Sequence, residues 1–430
     1  MHKPGKPMGF WAAVSLGIGA MIGAGIFALL GEASAISGSA VYISFFIGGI
    51  IALFSGYSLG KLGARYPSSG GIVEYLTQSF GVGLFTGSIS IMLYIAALVS
   101  ISLITKTFGN YAALFFPEFP HHILQHVFSI VVVILFVLLN LKGAKDVAIW
   151  EKITVAIKFF VLILLSITGI VFLKPELLSP SHYPPTSDIF FSLAITFFAY
   201  EGFRVITNAA EDMPNPSKTL PRAMMTSILL VMVLYIAVSF AVFGNLPTDE
   251  VISAKEYALA QAALPIFGHM GYTIVAITAL ISTASSINAN LYAVTNVTYQ
   301  LAKDGELPSE FGRPIGHSHE GLIISGVFII VLSLLFDLSD IAAIGSISIL
   351  FIHTITHIGH LKNIAETGAS IVMVSLAILL SFTAMILAII YVSKESEHII
   401  PLLLGFAGLA LATEVILQVV FERKVKPRIT

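Results

Sequence analysis

The chain is a succession of long apolar runs separated by short polar intervals. A helix needs roughly 20 consecutive apolar residues to cross the hydrocarbon core of a bilayer. About twelve runs approach that length, so the pattern predicts an all-α polytopic membrane protein with twelve transmembrane helices. The predicted spans are approximately 9–35, 39–63, 83–108, 123–142, 148–173, 188–211, 222–245, 271–300, 321–337, 340–359, 369–392 and 398–421.

The composition agrees with a lipid environment. Of the 430 residues, 57% are hydrophobic and only 11% are charged, whereas soluble domains carry about 25% charged residues. The net charge of -2 gives no sign of a nucleic-acid partner. The absence of cysteine excludes disulfides, thiolate catalysis and cysteine-ligated metals. The first apolar run continues past residue 30, so we expect a span rather than a signal peptide.

Lysine and arginine collect on one side of the predicted bilayer. These residues concentrate in cytoplasmic segments; one set of segments holds 16 of them and the opposite set holds 4. Both termini are therefore expected in the cytoplasm, and segment 246–268 is expected to be an external loop that folds onto the surface. The larger set consists of Lys3, Lys6, Lys61, Arg65, Lys142, Lys145, Lys152, Lys218, Arg222, Lys303, Arg313, Lys362, Arg423, Lys424, Lys426 and Arg428.

Two spans carry sequences that weaken a helix. The first contains LGIGAMIGAGIF at residues 16–27, with four glycines within nine residues, and each glycine costs about 1 kcal/mol relative to alanine. The sixth contains FAYEGF at residues 198–203, where a glycine and an ionisable residue interrupt an apolar run. An unwound backbone is tolerated in a membrane only where it lines a cavity or is buried in protein. Close helix packing through Gly19 and Gly23 is the alternative explanation.

The two interrupted spans occupy matching places in the chain. Each is the first of five spans, and an odd number of spans per half inserts the second half upside down. We therefore predict one transporter domain over residues 1–430, with inverted repeats at about 9–173 and 188–359 and two extra helices at about 369–421. Interrupted helices at corresponding positions mark a transporter's binding site. Free N–H groups after a break suit a carboxylate, and free carbonyls before it suit an ammonium group, so a zwitterionic amino acid fits both.

Six motifs along nearly the whole chain resemble the amino acid–polyamine–organocation superfamily of permeases, and most closely its archaeal, proton-coupled members of broad specificity. The resemblance implies amino acid transport by alternating access, in a cytoplasmic membrane, around discontinuous helices one and six. The motifs are IGAMIGAGIF at 18–27, GARYPSSGG at 63–71, NLKG at 140–143 followed by Glu151 and Lys158, FAYEGF at 198–203, AEDMPNP at 210–216 and AKDGELP at 302–308.

The interrupted segments and the resemblance together give a candidate substrate site. Phe198 is expected to be the aromatic residue that covers bound substrate from helix six, whereas Glu201 and Arg204 receive no firm role. No cofactor is expected apart from protons as the coupling ion, and the expected partners are amino acids and the lipid bilayer. The candidate substrate-binding residues are Ala20, Ile22, Gly23, Ala24, Gly25, Phe198, Ala199, Tyr200 and Gly202.

Lys158 is the candidate proton-coupling residue. It lies about ten residues into the fifth predicted span, where a charge is costly and marks function by default. Its ammonium group could bind backbone carbonyls of the broken first helix near Gly19 and Ile22. The resemblance implies that this lysine replaces the cation held at the same place in sodium-coupled relatives. The alternatives are a static structural role and a side chain that extends to the membrane surface. The residues expected to complete the site are Ser282, Ser285 and Ser286.

Other arrangements are weighed against this interpretation. His353, His357 and His360 share one helix face at a spacing that can bind zinc, but interfacial or helix-packing histidines are the simpler interpretation, and no metal site is predicted. No catalytic motif appears, so an enzyme is not expected. An amino acid exchanger or facilitator of the same fold is the alternative to a symporter, and an amino acid receptor without transport activity is a remote one.

Overall fold

A computed structural model describes residues 8–142, 147–305 and 307–420. Over these residues the secondary structure consists of helices joined by turns and of one two-stranded antiparallel hairpin, β1 (Pro314–Ile315) and β2 (Ser318–His319). The all-α class of the sequence prediction is therefore confirmed. Several residues used in the predictions lie outside the described residues, namely Lys3, Lys6, Gly143, Lys145, Glu306, Arg423, Lys424, Lys426, Arg428 and the side chains of Ala24, Glu151 and Lys152.

The helices follow the predicted spans closely. The α-helices are α1 Phe10–Met21, α2 Ala24–Phe27, α3 Leu29–Ser37, α4 Val41–Arg65, α5 Ile72–Phe80, α6 Leu84–Ala113, α7 His121–Lys142, α8 Val147–Val171, α9 Thr186–Phe191, α10 Leu193–Tyr200, α11 Pro216–Phe243, α12 Thr248–Ser253, α13 Ala258–Asp304, α14 Glu320–Leu335, α15 Leu338–Lys362, α16 Ile364–Thr367, α17 Ile371–Glu395 and α18 Ile399–Val415. The 3₁₀ segments are Gly38–Ala40, Pro175–Leu178, Pro180–His182, Glu201–Asp212, Lys255–Tyr257 and Ser309–Gly312, and Ile416–Val420 is π-helical.

Within the described residues, 11 helical stretches are long and apolar enough to cross a membrane. The apolar helix α14, at 16 residues, is shorter than these. A multi-pass membrane protein is therefore confirmed, while the count of twelve spans and the bounds of the two repeats stay predictions. We call α1–α3 span one, α6 span three, α8 span five, α9–α10 with Glu201–Asp212 span six, α11 span seven, α13 span eight and α15 span ten.

Burial separates a central group of helices from an outer one. In α6 and α15, 83% of the apolar stretch is buried, whereas the figure for α18 is 17%. Large apolar side chains such as Val131, Leu138 and Leu404 face outward from the outer helices. In water this much exposed apolar surface would be unfavourable, so these faces are suited to lipid. The buried helices surround the broken span one, where polar groups can be satisfied within the protein.

The predicted external loop is largely helical and packs on span one. It contains α12, Lys255–Tyr257 and the first turns of α13, whose kink at Gly268 has a φ of 65°. A side chain at Gly31 of α3 would collide with the carbonyl group of Lys255. Lys255 Nζ lies 3.1 Å from Oε2 of the buried Glu32 and 2.7 Å from Ser339 Oγ. This lysine therefore fastens the external segment to spans one and ten.

We predict that Lys255→Ala lowers the stability of the protein by about 1–2 kcal/mol. Removing one partner of a fully buried ion pair costs about 3–5 kcal/mol, and the partial exposure of Lys255 reduces that cost. Thermal denaturation in detergent measures the effect, with the exposed Lys303→Ala as the control. Adding Glu32→Gln to Lys255→Ala should recover part of the loss, because it removes the unpaired carboxylate. Equal melting temperatures for Lys255→Ala and Lys303→Ala would contradict this role.

Candidate substrate and proton-coupling site

Span one is interrupted in the middle of the bundle. Helix α1 ends at Met21, Ile22 has a non-helical ψ of 71°, and the chain resumes as α2 at Ala24. Because the last four carbonyls of an α-helix have no partner further along the helix, an interruption at this depth exposes acceptors that lipid cannot satisfy. Other spans must therefore supply donors to this end of α1.

Four side chains supply those donors. Lys158 of span five is fully buried, and its Nζ lies 2.7 Å from the carbonyl oxygen of Gly19. In span eight, Ser286 Oγ donates to the carbonyl of Ala20 at 3.2 Å. The remaining two donors are Tyr235 of span seven, whose Oη lies 2.7 Å from Met21 O, and Ser282 of span eight, whose Oγ donates to Ile22 O. Spans five, seven and eight thus bind four consecutive carbonyls of span one.

Span six changes its helical form where the sequence predicts an interruption. The α-helix ends at Tyr200, and a 3₁₀ helix begins directly at Glu201 and continues for 12 residues. The helix type changes without an intervening unwound residue, which differs from the fully open break expected from the sequence. A long 3₁₀ stretch is unusual and often marks a hinge or a strained sequence. Gly202 lies at this change of form.

Glycines bring the two interrupted spans into direct contact. A Cβ on Gly202 would lie 2.4 Å from the backbone of Ala20 and Met21, and a Cβ on Gly25 would lie 2.4 Å from the carbonyl oxygen of Ala199. A Cβ on Gly23 would lie 2.4 Å from Ser286. These glycines therefore both allow the helix to be interrupted and allow the spans to pack closely. The sequence analysis had treated these two explanations as alternatives.

A small cavity lies between spans one, three, six and eight. Its volume is about 30 Å³, which is room for about two water molecules. Of the nine candidate substrate-binding residues, five line it: Ala20, Gly25, Phe198, Ala199 and Gly202. An amino acid is larger than this space, so spans around the cavity must move before a substrate can enter.

The other candidate residues lie beside the cavity. Ile22 and Gly23 face span eight through the contacts with Ser282 and Ser286. Tyr200 points away, because its Oη donates to the carbonyl of Phe45 in α4 at 2.9 Å. Ser285 is buried on the same stretch of span eight. Nothing is described of the Ala24 side chain.

Phe198 forms one wall of the cavity. Its ring packs so closely on span ten that a Cβ on Gly345 would lie 2.6 Å from its Cζ atom. The side chain is nearly fully buried. This position, on span six and over the interruption in span one, is the position from which an aromatic side chain would cover a bound molecule.

The cavity is also lined by residues that the sequence analysis did not assign to it. Glu201 and Arg204 form a buried ion pair with 2.6 Å between Oε1 and Nε. A general signal for this pair exists, because ionisable residues inside spans mark functional sites. Asn290 is polar but not ionisable, so its signal is weaker. The sequence does not distinguish the apolar lining residues from lipid-facing or core residues. These lining residues are Met21, Leu29, Leu103 and Ile104, with Ser100 beside them.

A small cavity beside an interrupted membrane helix, with donors from several spans on the carbonyls of that helix, is typical of a membrane transport protein. The sequence profile described as "Amino acid permease" matches residues 8–415. The chain belongs to this family, and it is a transporter of amino acids rather than an enzyme.

Individual comparisons agree with this assignment. The inner membrane transport protein YbaT of Escherichia coli (strain K12) is 39% identical over 350 residues, which cover 80% of this chain and 81% of that protein. The serine/threonine exchanger SteT of Bacillus subtilis (strain 168) is 28% identical over 73% of this chain and 72% of its own length. A crystal structure of a mutant manganese transporter from Eremococcus coleocola superposes with a TM-score of 0.63 at 12% identity, covering 96% of this chain and 95% of that one. This last likeness concerns the fold alone.

We predict that Gly202→Ala lowers amino acid uptake at least tenfold. The added methyl group would occupy the space of the Ala20–Met21 backbone, so spans one and six could no longer approach each other as they do here. Uptake into proteoliposomes measures the effect. Gly408→Ala in α18 is the matched control, because nothing lies within 4 Å of the Cβ position there. Uptake by Gly202→Ala within twofold of the control would contradict the need for this contact.

Proposed function

We propose that the protein is a proton-coupled amino acid symporter of broad specificity, which works by alternating access in the cytoplasmic membrane. The observation that carries the proposal is the contact between the buried Lys158 ammonium group and the carbonyl of Gly19. This contact joins an ionisable group of span five to the end of the interrupted helix in span one. Any change in the charge of Lys158 therefore acts on the element that must move.

The strength of that contact depends on the charge of the lysine. Hydrogen bonds from a charged donor are roughly twice as strong as neutral ones, and burial disfavours the charged form of a lysine. Charged Lys158 holds α1 against span five, whereas neutral Lys158 holds it less tightly. One proton on this side chain then does the work that a bound cation does in sodium-coupled relatives.

The substrate would lie across the interruption in span one. Its carboxylate would meet backbone N–H groups at the start of α2, although the Gly23 N–H just before it already donates to the carbonyl of Met21 at 2.9 Å. The nearby carbonyls already accept hydrogen bonds from protein side chains, so an ammonium group would use their second acceptor positions and those of span six. The apolar walls formed by Leu29, Leu103, Ile104 and Phe198 would suit neutral side chains of several sizes.

An exchanger of the same fold is the second candidate. The observation that favours it is the similarity to SteT, which is a serine/threonine exchanger. In an exchanger, Lys158 would stay charged and fix α1 throughout the cycle. Net uptake into vesicles that contain no amino acid separates the two functions, because an exchanger needs an internal substrate.

We predict that Lys158→Met abolishes net amino acid uptake driven by a pH gradient, while counterflow between equal internal and external pools persists. Methionine keeps most of the side-chain volume but cannot bind or release a proton. Proteoliposomes and a radiolabelled mixture of the twenty standard amino acids give both measurements. Lys106→Met is the matched control, because Lys106 is a buried lysine that bonds the carbonyl of Phe336 instead of span one. Undiminished pH-driven uptake by Lys158→Met would refute proton coupling through this residue.

Broad specificity predicts that several neutral amino acids raise the melting temperature of the purified protein. A ligand present at 100 times its dissociation constant stabilises the folded state by about 2.7 kcal/mol. Thermal shifts measured with each of the twenty amino acids give the specificity directly. A shift with one amino acid and none with the others would contradict a broad-specificity site.

A further inference from the structure

Three histidines and two serines form a continuous buried line between α4 and span ten. His353, His357 and His360 lie on one face of α15, and Ser55 and Ser58 lie on the facing side of α4. All five side chains are fully buried. The sequence analysis had given the histidines an interfacial or packing role, and their partners on α4 lie about 300 residues away in sequence.

Every step along this line is a hydrogen bond of ordinary length. His357 and His360 use both ring nitrogens, His353 uses its Nδ1, and each serine hydroxyl bridges two rings. In order, the distances are His353 Nδ1 to Ser55 Oγ 2.7 Å, Ser55 Oγ to His357 Nε2 2.9 Å, His357 Nδ1 to Ser58 Oγ 2.9 Å, Ser58 Oγ to His360 Nδ1 2.8 Å and His360 Nε2 to Thr367 Oγ1 2.9 Å.

The inner end of the line reaches the transport cavity. Glu201 lines the cavity, and its Oε2 lies 3.4 Å from Nε2 of His353. Both atoms are buried, and neither has a hydrogen-bond partner among the described residues. The other carboxylate oxygen is occupied by Arg204. An unpaired acceptor and an unpaired ring nitrogen therefore face each other across a gap slightly longer than a hydrogen bond.

The outer end of the line reaches the protein surface. Thr367 is partly exposed and ends α16 beside the exposed Gly368, whose carbonyl accepts a hydrogen bond from Lys61. This is the side that the lysine and arginine count predicts to be cytoplasmic. Seven residues of α-helix separate His353 from His360, which corresponds to about 10 Å along the helix axis.

We propose that Glu201, His353, Ser55, His357, Ser58, His360 and Thr367 form a proton path between the transport cavity and the predicted cytoplasmic face. This inference rests on the proposed symport, because a proton that enters the cavity with the substrate must leave on the other side. The path gives that proton a route that does not follow the substrate. Lys158 controls span one, and Glu201 is the group that passes the proton to the path.

Proton balance along the path is simple. A proton that has entered the cavity first binds Oε2 of Glu201 and is then transferred to Nε2 of His353, while the Nδ1 proton of the same ring passes to Ser55. Ser55 passes its own proton to Nε2 of His357. The same exchange repeats through Ser58 and His360, and one proton leaves at Thr367. Each group gains one proton and gives up one, because a neutral imidazole has one donor and one acceptor nitrogen. Rotation of the hydroxyls and exchange of ring protons then restore the starting arrangement.

The step from Glu201 to His353 can couple the path to transport. At 3.4 Å it is the longest step of the line. Glu201 begins the 3₁₀ segment of span six, whereas His353 belongs to span ten. A shift of span six by about half an ångström would bring this contact within normal hydrogen-bond length, and a shift the other way would disconnect the path.

Among the described residues, few charged groups lie near the three histidines. Arg204 and Glu201 lie at the inner end of the line, and Lys61 interacts electrostatically with His360 at the outer end. Several other charged or titratable groups on neighbouring helices have contacts of their own. Among them are Glu74 with Gln78, Arg65 and Tyr66 with Glu366, Lys362 with the Phe80 ring, Tyr94 with Ser325, and Tyr57 with the backbone of Ser370.

Two variants test the path while keeping the helices packed. His357→Gln retains a polar side chain that can contact the serines, but an amide does not relay protons, and Ser55→Ala removes only the bridging hydroxyl. Ser44→Ala is the matched control, because Ser44 is a buried serine of the same helix whose hydroxyl contacts Ile189 and Ser192 instead. Each variant is assayed in proteoliposomes with the radiolabelled mixture of the twenty amino acids.

We expect His357→Gln and Ser55→Ala to lower pH-driven net uptake at least tenfold and to leave counterflow within twofold of the wild type. Ser44→Ala should leave both activities within twofold. A parallel fall of net uptake and counterflow in the path variants would indicate a packing role and overturn the path. Unchanged net uptake in both path variants would overturn it as well.

The same assay separates failure of the path from failure of the proposed function. If the wild type takes up amino acids on a pH gradient and Lys158→Met does not, while both path variants behave as wild type, symport stands and the path is wrong. If the wild type itself shows no pH-driven net uptake, the proposed symport fails and the path fails with it.

Discussion

The structure depends on satisfying the carbonyl groups where span one is interrupted. A buried polar group without a partner costs several kcal/mol in an apolar medium, and α1 ends with a row of them. Lys158, Ser286, Tyr235 and Ser282 bind the carbonyls from Gly19 to Ile22 in turn. The arrangement of spans five, seven and eight around span one follows from this requirement. Of the four donors, only the lysine can donate from a positively charged group.

The same interruption determines where the cavity lies. Gly202 and Gly25 allow the backbones of spans one and six to touch, and the space left beside that contact is lined by both spans. A movement of either span therefore changes the cavity and the carbonyl contacts together. Glu201 and Arg204 occupy the change of helix type in span six, so the charged groups of the cavity move with the same segment. Binding, helix packing and charge are concentrated in a few residues around one helix end.

Much of this organisation could be predicted from the sequence. Apolar run lengths gave the spans, because the thickness of a bilayer fixes the length of a helix, and the glycines of residues 16–27 gave the interruption. Two features escaped prediction because they depend on how the helices are rotated about their axes. The cavity lining from Leu103 and Asn290 is one. The other is the partnership of His357 with the serines of α4, since the spacing of the histidines indicates a shared face but not what that face contacts.

The 12-residue 3₁₀ stretch from Glu201 to Asp212 also has a mechanical consequence. A 3₁₀ helix rises about 2.0 Å per residue and an α-helix about 1.5 Å, so this segment is about 6 Å longer than the same residues would be as an α-helix. Conversion of this segment to an α-helix would shorten span six and rotate its side chains about the helix axis. Each backbone hydrogen bond would be broken only briefly before a new one formed. A change of helix type in this segment would therefore move α10, which it follows directly, relative to α11, which begins beyond its other end.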